Sequence, residues 1–296
     1  MYTRSTISMD EYGWSAGYAD RRDDKLSART RRRQQAVRTE RQREIRRRKR
    51  RQKSRLGLRK RTLVLLLAVV LLGVMTWTGH TPVSRMLLAG GGCPKSLMEL
   101  AERQPEAYTF VRDYSKHKGE AFDAGAIDIS DDLAEEEVPS FLQWDERWGY
   151  AWYGDDYLAV NGCGPVCLSM VACARTGDAS LNPLAVAQFA EQHGYYVNGK
   201  GSAWALMEEG AAQLGLSAYA EYPSRDTIQA ALAEGKTIIC SVMPGDFTTS
   251  GHFIVLAGLA DDGSVIVHDP NSIKRSEMTW DAQQIADQTA QMWVYE

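Results

Sequence analysis

Twenty-three consecutive residues without a Lys, Arg, Asp or Glu, "TLVLLLAVVLLGVMTWTGHTPVS" from Thr62 to Ser84, divide this chain in two. A helix needs about 20 mostly apolar residues to cross a bilayer, and Leu63–Trp77 with its flanks supplies that length. A buried core helix would need a soluble domain ahead of it, and the first 61 residues do not read as one. A cleaved signal peptide would need a short charged leader rather than 61 residues. The expectation is therefore a single transmembrane helix over 62–84.

Charge divides at the same place. Residues 1–61 carry 22 Lys and Arg against 7 Asp and Glu, whereas the remaining residues carry 13 against 31. Opposite balances on the two sides point to two environments. The basic flank "RRRKRRQKSRLGLRKR" should stay in the cytoplasm, leaving the acidic C-terminal portion outside the membrane. The tail has no aromatic residue after Tyr18. It therefore lacks a stacking platform for bases, and no nucleic-acid partner is expected. Contact with anionic lipid is the partnership left to it. The segment "RTERQREIRRRKRRQ" is a candidate surface helix, and the rest of the tail reads as largely disordered.

Past the membrane, residues 85–137 read as a helical stalk and an acidic linker. Leu97, Leu100 and Ala101, then Tyr108, Val111 and Tyr114, have helical spacing, with Pro105 opening the second helix. The acidic stretch "DISDDLAEEEVPS" reads as a linker or surface loop. From Val138 the texture changes to an aromatic, glycine-rich loop region whose Trp144, Trp148, Tyr150, Trp152 and Tyr153 read mostly as packed cover. Three helices follow, in "PVCLSMVACARTG", "PLAVAQFAEQHG" and "SAWALMEEGAAQLG", each closed by glycine. A short helix in "TIQAALAEG" precedes four strand-like runs: "TIICSVM", "HFIVLAGL", "SVIVHDP" and "QMWVYE". Helices first and strands later predict an α+β domain with an antiparallel sheet over 138–296.

One stretch carries the chemistry. "NGCGPVCLSM" sets Cys163 between two glycines at the start of a helix. Free N–H groups and the helix dipole favour thiolate there, and the glycines leave room for a substrate carbonyl to approach. A thiol nucleophile needs a base and a group to orient it. Of the five histidines, His252 begins a strand and His268 ends the next, beside Asp269. Adjacent antiparallel strands would bring His252 and Asp269 together, while His268 should face the other way. Cys167, Cys173 and Cys240 read as core residues. Cys93 could pair with another cysteine outside the membrane, although an odd count argues against a full disulfide framework. A metal site from Cys163, Cys167 and His252 would lack a fourth ligand at zinc-like spacing, and no cofactor is expected.

"FLQWDERWGY", "GCGPVCLSM", "GHFIVLAG" and "VHDPNS", in this order over about residues 138–296, resemble the papain-like cysteine peptidases of the bacteriocin-leader (double-glycine) peptidase-like group. The preceding "LMELAERQPEAYTFVRDY" resembles the helical lead-in of some membrane-attached relatives in Gram-positive bacteria. The resemblance implies a papain-like fold with Cys163 as nucleophile, His252 as base, Asp269 as orienter and Gln143 as oxyanion donor. Gln143 stands twenty positions before the cysteine rather than a few, so an inserted loop over Tyr150–Val160 is implied, with Asn161 or a backbone N–H as substitute donors. The resemblance also implies a peptide or protein substrate. The expected activity is membrane-anchored, extracytoplasmic peptide-bond hydrolysis without a cofactor. Cell-wall peptide hydrolysis, acyl transfer to an amine, and a non-catalytic peptide-binding module on the same fold are the rivals. The transporter-fused relatives carry a nucleotide-binding domain, and no GxxxxGK[ST] motif occurs here.

Overall fold

The computed structural model describes residues 63–70 and 90–296, with Glu44 and Arg46. The chain divides into a unit of residues 1–72 and a unit of residues 73–296. In the first unit, residues 63–70 are helical and present exposed apolar side chains. Among the described residues no helix is long and apolar enough to cross a membrane. The rest of the basic tail and of the expected 62–84 helix, including His80, lies outside the described residues.

In the second unit the lead-in forms as its spacing predicts. Helix α1 (Lys95–Arg103) and helix α2 (Tyr108–His117) are joined by a 3-10 turn that Pro105 opens. They are no detached stalk. Leu97, Leu100, Phe110, Val111 and Tyr114 share one apolar core with Trp144, Tyr150 and Tyr157 of the following region. The Phe110 ring stacks on Tyr150 at 4.0 Å, and the Tyr150 hydroxyl donates to the Phe110 carbonyl at 2.6 Å. The acidic stretch expected as linker or loop instead contains helix α3 (Ser130–Glu135). Its acidic first turn suits the positive helix end. Ile129 is fully buried beneath it, and Asp132 pairs with Arg147 at 2.7 Å, which fixes the segment to the domain.

The inserted region folds as a small hairpin of β1 (Trp152–Tyr153) and β2 (Asp156–Tyr157), followed by the single turn α4 (Leu158–Asn161). Trp144, Trp148, Tyr150 and Tyr153 are buried as cover, whereas Trp152 is 60% exposed. Helix α5 (Cys163–Thr176) comes next and is buried continuously from Gly164 to Cys173, the pattern of a helix enclosed on all sides. Gly177, at φ 68°, closes it in the left-handed conformation that glycine adopts without strain. Helix α6 (Pro183–Gln192) and a hairpin of β3 (Tyr196–Val197) and β4 (Gly201–Ser202) follow. The segment expected as one helix over "SAWALMEEGAAQLG" divides into a 3-10 turn, Trp204–Met207, and α7 (Glu209–Gln213). The Met207 carbonyl accepts from the Tyr295 hydroxyl at 2.6 Å.

The C-terminal part supplies the sheet: β5 (Ala218–Glu221), helix α8 (Arg225–Ala233), β6 (Thr237–Val242), β7 (His252–Leu259), β8 (Val265–His268), the turn α9 (Ile273–Ser276), β9 (Thr279–Trp280), helix α10 (Ala282–Gln288) and β10 (Thr289–Tyr295). Six strands lie in the order β5-β10-β6-β7-β8-β9, each pairing antiparallel. Side chains alternate between two cores. Ile239, Phe253, Val255, Trp293 and Tyr295 pack on the α5 and α6 side. Ile238, Cys240, Ile254, Leu256 and Val294 pack on the α8 and α10 side. A sheet buried on both faces explains why these strands read as continuous apolar runs rather than alternating ones.

Because the lead-in shares a core with the hairpin region, Phe110→Ala should destabilise the whole domain by about 3–5 kcal/mol. Chemical denaturation would measure it; an unchanged midpoint would mean that the lead-in is only a tether.

Candidate active site

The fold brings Cys163, His252 and Asp269 into one line, with Gln143 in the cleft beside His252. Cys163 is the first residue of α5, and no side chain caps that helix end. Of the first turn, Cys163 and Gly164 therefore have N–H groups without partners within the helix, Pro165 having none and Val166 bonding to Gly162, and the dipole there is positive. Helix α5 packs across β7, whose first residue is His252. Strand β8 runs antiparallel beside β7, with Val255 opposite His268, so Asp269 just past β8 reaches back to the histidine. His252 Nε2 and Asp269 Oδ1 are 2.8 Å apart, with 7% and 1% of the two residues exposed. The Cys163 thiol is near enough to the ring to be among the groups that raise the His252 pKa. Since Nε2 is taken by the carboxylate, Nδ1 is left for the thiol.

Electrostatics follow from this packing. Burial alone would push the His252 pKa down. The charge and hydrogen bond of Asp269, with a smaller contribution from Cys163, overcome burial and raise it to about 10. Burial would likewise push the Asp269 carboxyl up, but His252 and Arg275 hold it below the ordinary range. Burial pushes the Cys93 thiol up to about 11 and Cys173 and Cys240 up to about 12, and it raises Cys167 as well. These four stay protonated at neutral pH and make poor nucleophiles. All five cysteines are free, and Cys167, Cys173 and Cys240 are buried. His268 faces elsewhere, with Nε2 at 3.5 Å from Glu136.

The two glycines around Cys163 have a packing cause. A Cβ at Gly164 would lie 2.4 Å from Ser202 Oγ, and one at Gly162 would lie 2.4 Å from the Leu158 carbonyl. Room for the β4 hairpin and for α4 already demands glycine at both positions, independent of substrate approach.

Gln143 lines, with His252, Val160 and Asn271, a cleft of about 290 Å³ walled by residues 245–251. It is 3% exposed. Its Nε2 donates to the Ala159 carbonyl at 2.6 Å and more loosely to Val160 at 3.4 Å, and its Oε1 has no partner among the described residues. The amide thus braces the backbone just before Cys163. Asn161 is occupied in the hairpin, donating to the Tyr153 carbonyl and to Asp155. Sequence reasoning missed Arg275, whose Nε donates to Asp269 Oδ2 at 2.5 Å. Nothing in "PNSIKRSE" distinguishes that arginine from an ordinary surface cation.

The sign of the His252 shift sets a stability prediction. A histidine whose pKa is raised on folding contributes stability that is fully present below about pH 6.5, declines above it, and is gone past about pH 10. The melting temperature should therefore fall across this range, and His252→Ala should flatten that part of the profile. An identical slope in the variant would refute the charged pair.

The Peptidase_C39 like family matches residues 135–295. Among solved structures, the chain is similar to the peptidase domain of Streptococcus ComA, described as a bi-functional ABC transporter involved in a quorum sensing pathway. That match is 19% identical, covers 45% of this chain and 89% of the other, and has a TM-score of 0.36. A putative C39-like peptidase from Bacillus anthracis matches at 15% identity over 54% of this chain and 94% of its own, also with a TM-score of 0.36. No curated protein matches. With more than half of its length matched, the chain belongs to the C39-like peptidase family.

Proposed function

We propose that this protein is a membrane-anchored, extracytoplasmic cysteine peptidase that cleaves peptide bonds through Cys163, His252 and Asp269. Family membership supports a peptidase-like hydrolase. The observation that carries the finer reading is the buried His252–Asp269 pair set beside a thiol at a helix start.

The chemistry derives from that line of residues. Cys163 and His252 form a thiolate–imidazolium pair, and Asp269 stabilises the imidazolium. The thiolate sulfur bonds to the scissile carbonyl carbon, and the carbonyl electron pair moves onto oxygen. The N–H groups at the start of α5 meet that oxyanion. Gln143 supplies a further donor by giving up its long bond to Val160. The intermediate collapses, the C–N bond breaks, and His252 protonates the leaving amine. Water, deprotonated by His252, then cleaves the thioester and restores the thiol. The uncharged run Thr62–Ser84 and the basic residues before it support the anchor and its orientation.

Cys163→Ala should abolish hydrolysis of a peptide library read by mass spectrometry while leaving the circular dichroism spectrum unchanged; wild-type turnover in this variant would end the thiol mechanism. Gln143→Ala should lower kcat by about 10²-fold with KM nearly unchanged. Equal kcat would assign the oxyanion to backbone donors alone. Deleting 62–84 should move the protein from the membrane to the soluble fraction, and retention at the membrane would refute the anchor.

A further inference from the structure

Asp269 is held from a second side. Its Oδ1 accepts from His252 and also from the Asn271 N–H at 2.8 Å, while Oδ2 accepts from Arg275 Nε at 2.5 Å. Its own N–H donates to Ser276 Oγ at 2.9 Å. Both Arg275 and Ser276 belong to α9, a single turn of four residues that cannot hold itself by helix formation alone. Something must fix it.

Part of the anchor is Ser272, whose Oγ accepts from the Arg275 N–H at 3.2 Å. The rest comes from far upstream. Glu106, in the turn between α1 and α2, accepts from Ser272 Oγ at 2.6 Å through Oε2 and from the Lys274 N–H at 2.9 Å through Oε1. A carboxylate at the start of a helical turn satisfies its free N–H groups and its dipole together. On the opposite side Trp280 Nε1 donates to the Arg275 carbonyl at 3.0 Å. Glu106 lies outside the family match of 135–295.

We propose that Arg275 is a positioning residue for Asp269, and that Glu106 of the helical lead-in positions Arg275, so that the catalytic carboxylate is set by a segment outside the family domain. The inference rests on the triad reading above. A carboxylate bonded on one oxygen alone can turn about its last torsion; bonds to both oxygens fix its plane against the imidazole. The guanidinium never deprotonates, so it keeps a positive charge on the carboxylate whatever the state of His252. The charged groups facing Asp269 are His252 from β7 and Arg275 from α9; the Cys167 thiol of α5, near enough to feel the carboxylate, is kept neutral by burial. Cys163 lies beyond the histidine.

The Asp269 carboxylate orients and stabilises the imidazolium that Cys163 faces, so the acid limb of Cys163 reactivity, where its thiolate is protonated, should respond to whatever positions Asp269. The test is the rate of iodoacetamide alkylation at Cys163 in the full chain against pH, read by peptide mapping. Wild type, Arg275→Gln, Arg275→Lys and Glu106→Ala are compared, with Cys163→Ala as blank. Arg275→Gln should move the acid limb up by about one to two pH units. Arg275→Lys, which keeps the charge, should recover most of that shift, and Glu106→Ala should shift in the same direction by less. An unmoved limb in Arg275→Gln and Glu106→Ala, accompanied only by a lower melting temperature, would make α9 merely structural and overturn the inference while the triad stands. Wild-type Cys163 no more reactive below pH 7 than a free cysteine would overturn the triad and the inference with it. If Arg275→Gln does not fold, Glu106→Ala decides alone.

Discussion

A carboxylate with almost no exposed surface is costly to ionise unless opposite charge and hydrogen bonds surround it. Asp269 meets that condition with His252 on one oxygen and Arg275 on the other. Much of the architecture can be read as what this grouping requires. Strands β7 and β8 must be neighbours, and in a register that places His252 within reach of Asp269. Helix α5 must lie across β7 so that its first residue meets the imidazole. A change at any of these contacts would leave a buried charge without its partner, which is more damaging than losing an equal area of apolar packing.

Much of this could be read in the sequence, for physical reasons. The apolar runs "TIICSVM" and "HFIVLAGL" announced strands because both faces of the sheet are buried, so no polar alternation diluted the signal. Helix α5 was legible because enclosure on all sides demands an unbroken apolar stretch ended by glycine. The cysteine, the histidine and the Asp-Pro stood out by residue type. Strand β5 went unread: it lies at the sheet's edge and only its two end residues are partly covered, so its residues carry no period. Helix α3 went unread because its acidic residues look like a linker until Arg147, from a distant position, pairs with Asp132. The links from Glu106 to Ser272 and from Arg275 to Asp269 join surface-type residues, and only the fold shows them together.

Glycine at 162 and 164 shows how a correct location can rest on an incomplete reason. Substrate access suggested those glycines; the missing Cβ space is in fact filled by Leu158 and Ser202. The two explanations agree on where the cysteine sits because a helix start that approaches other backbone closely is also where its N–H groups converge.

The order of the strands has a consequence for the molecule in bulk. Six antiparallel strands with apolar side chains on both faces would template cross-chain pairing if the outermost ones were long and flat. Here the outermost strands are β9, of two residues, and β5, of four, with the Lys236 ammonium over the Tyr219 ring of β5. The long apolar strands β6, β7 and β10 are interior and paired on both sides. The folded domain thus offers little edge to a neighbour, which favours its remaining dispersed at high concentration.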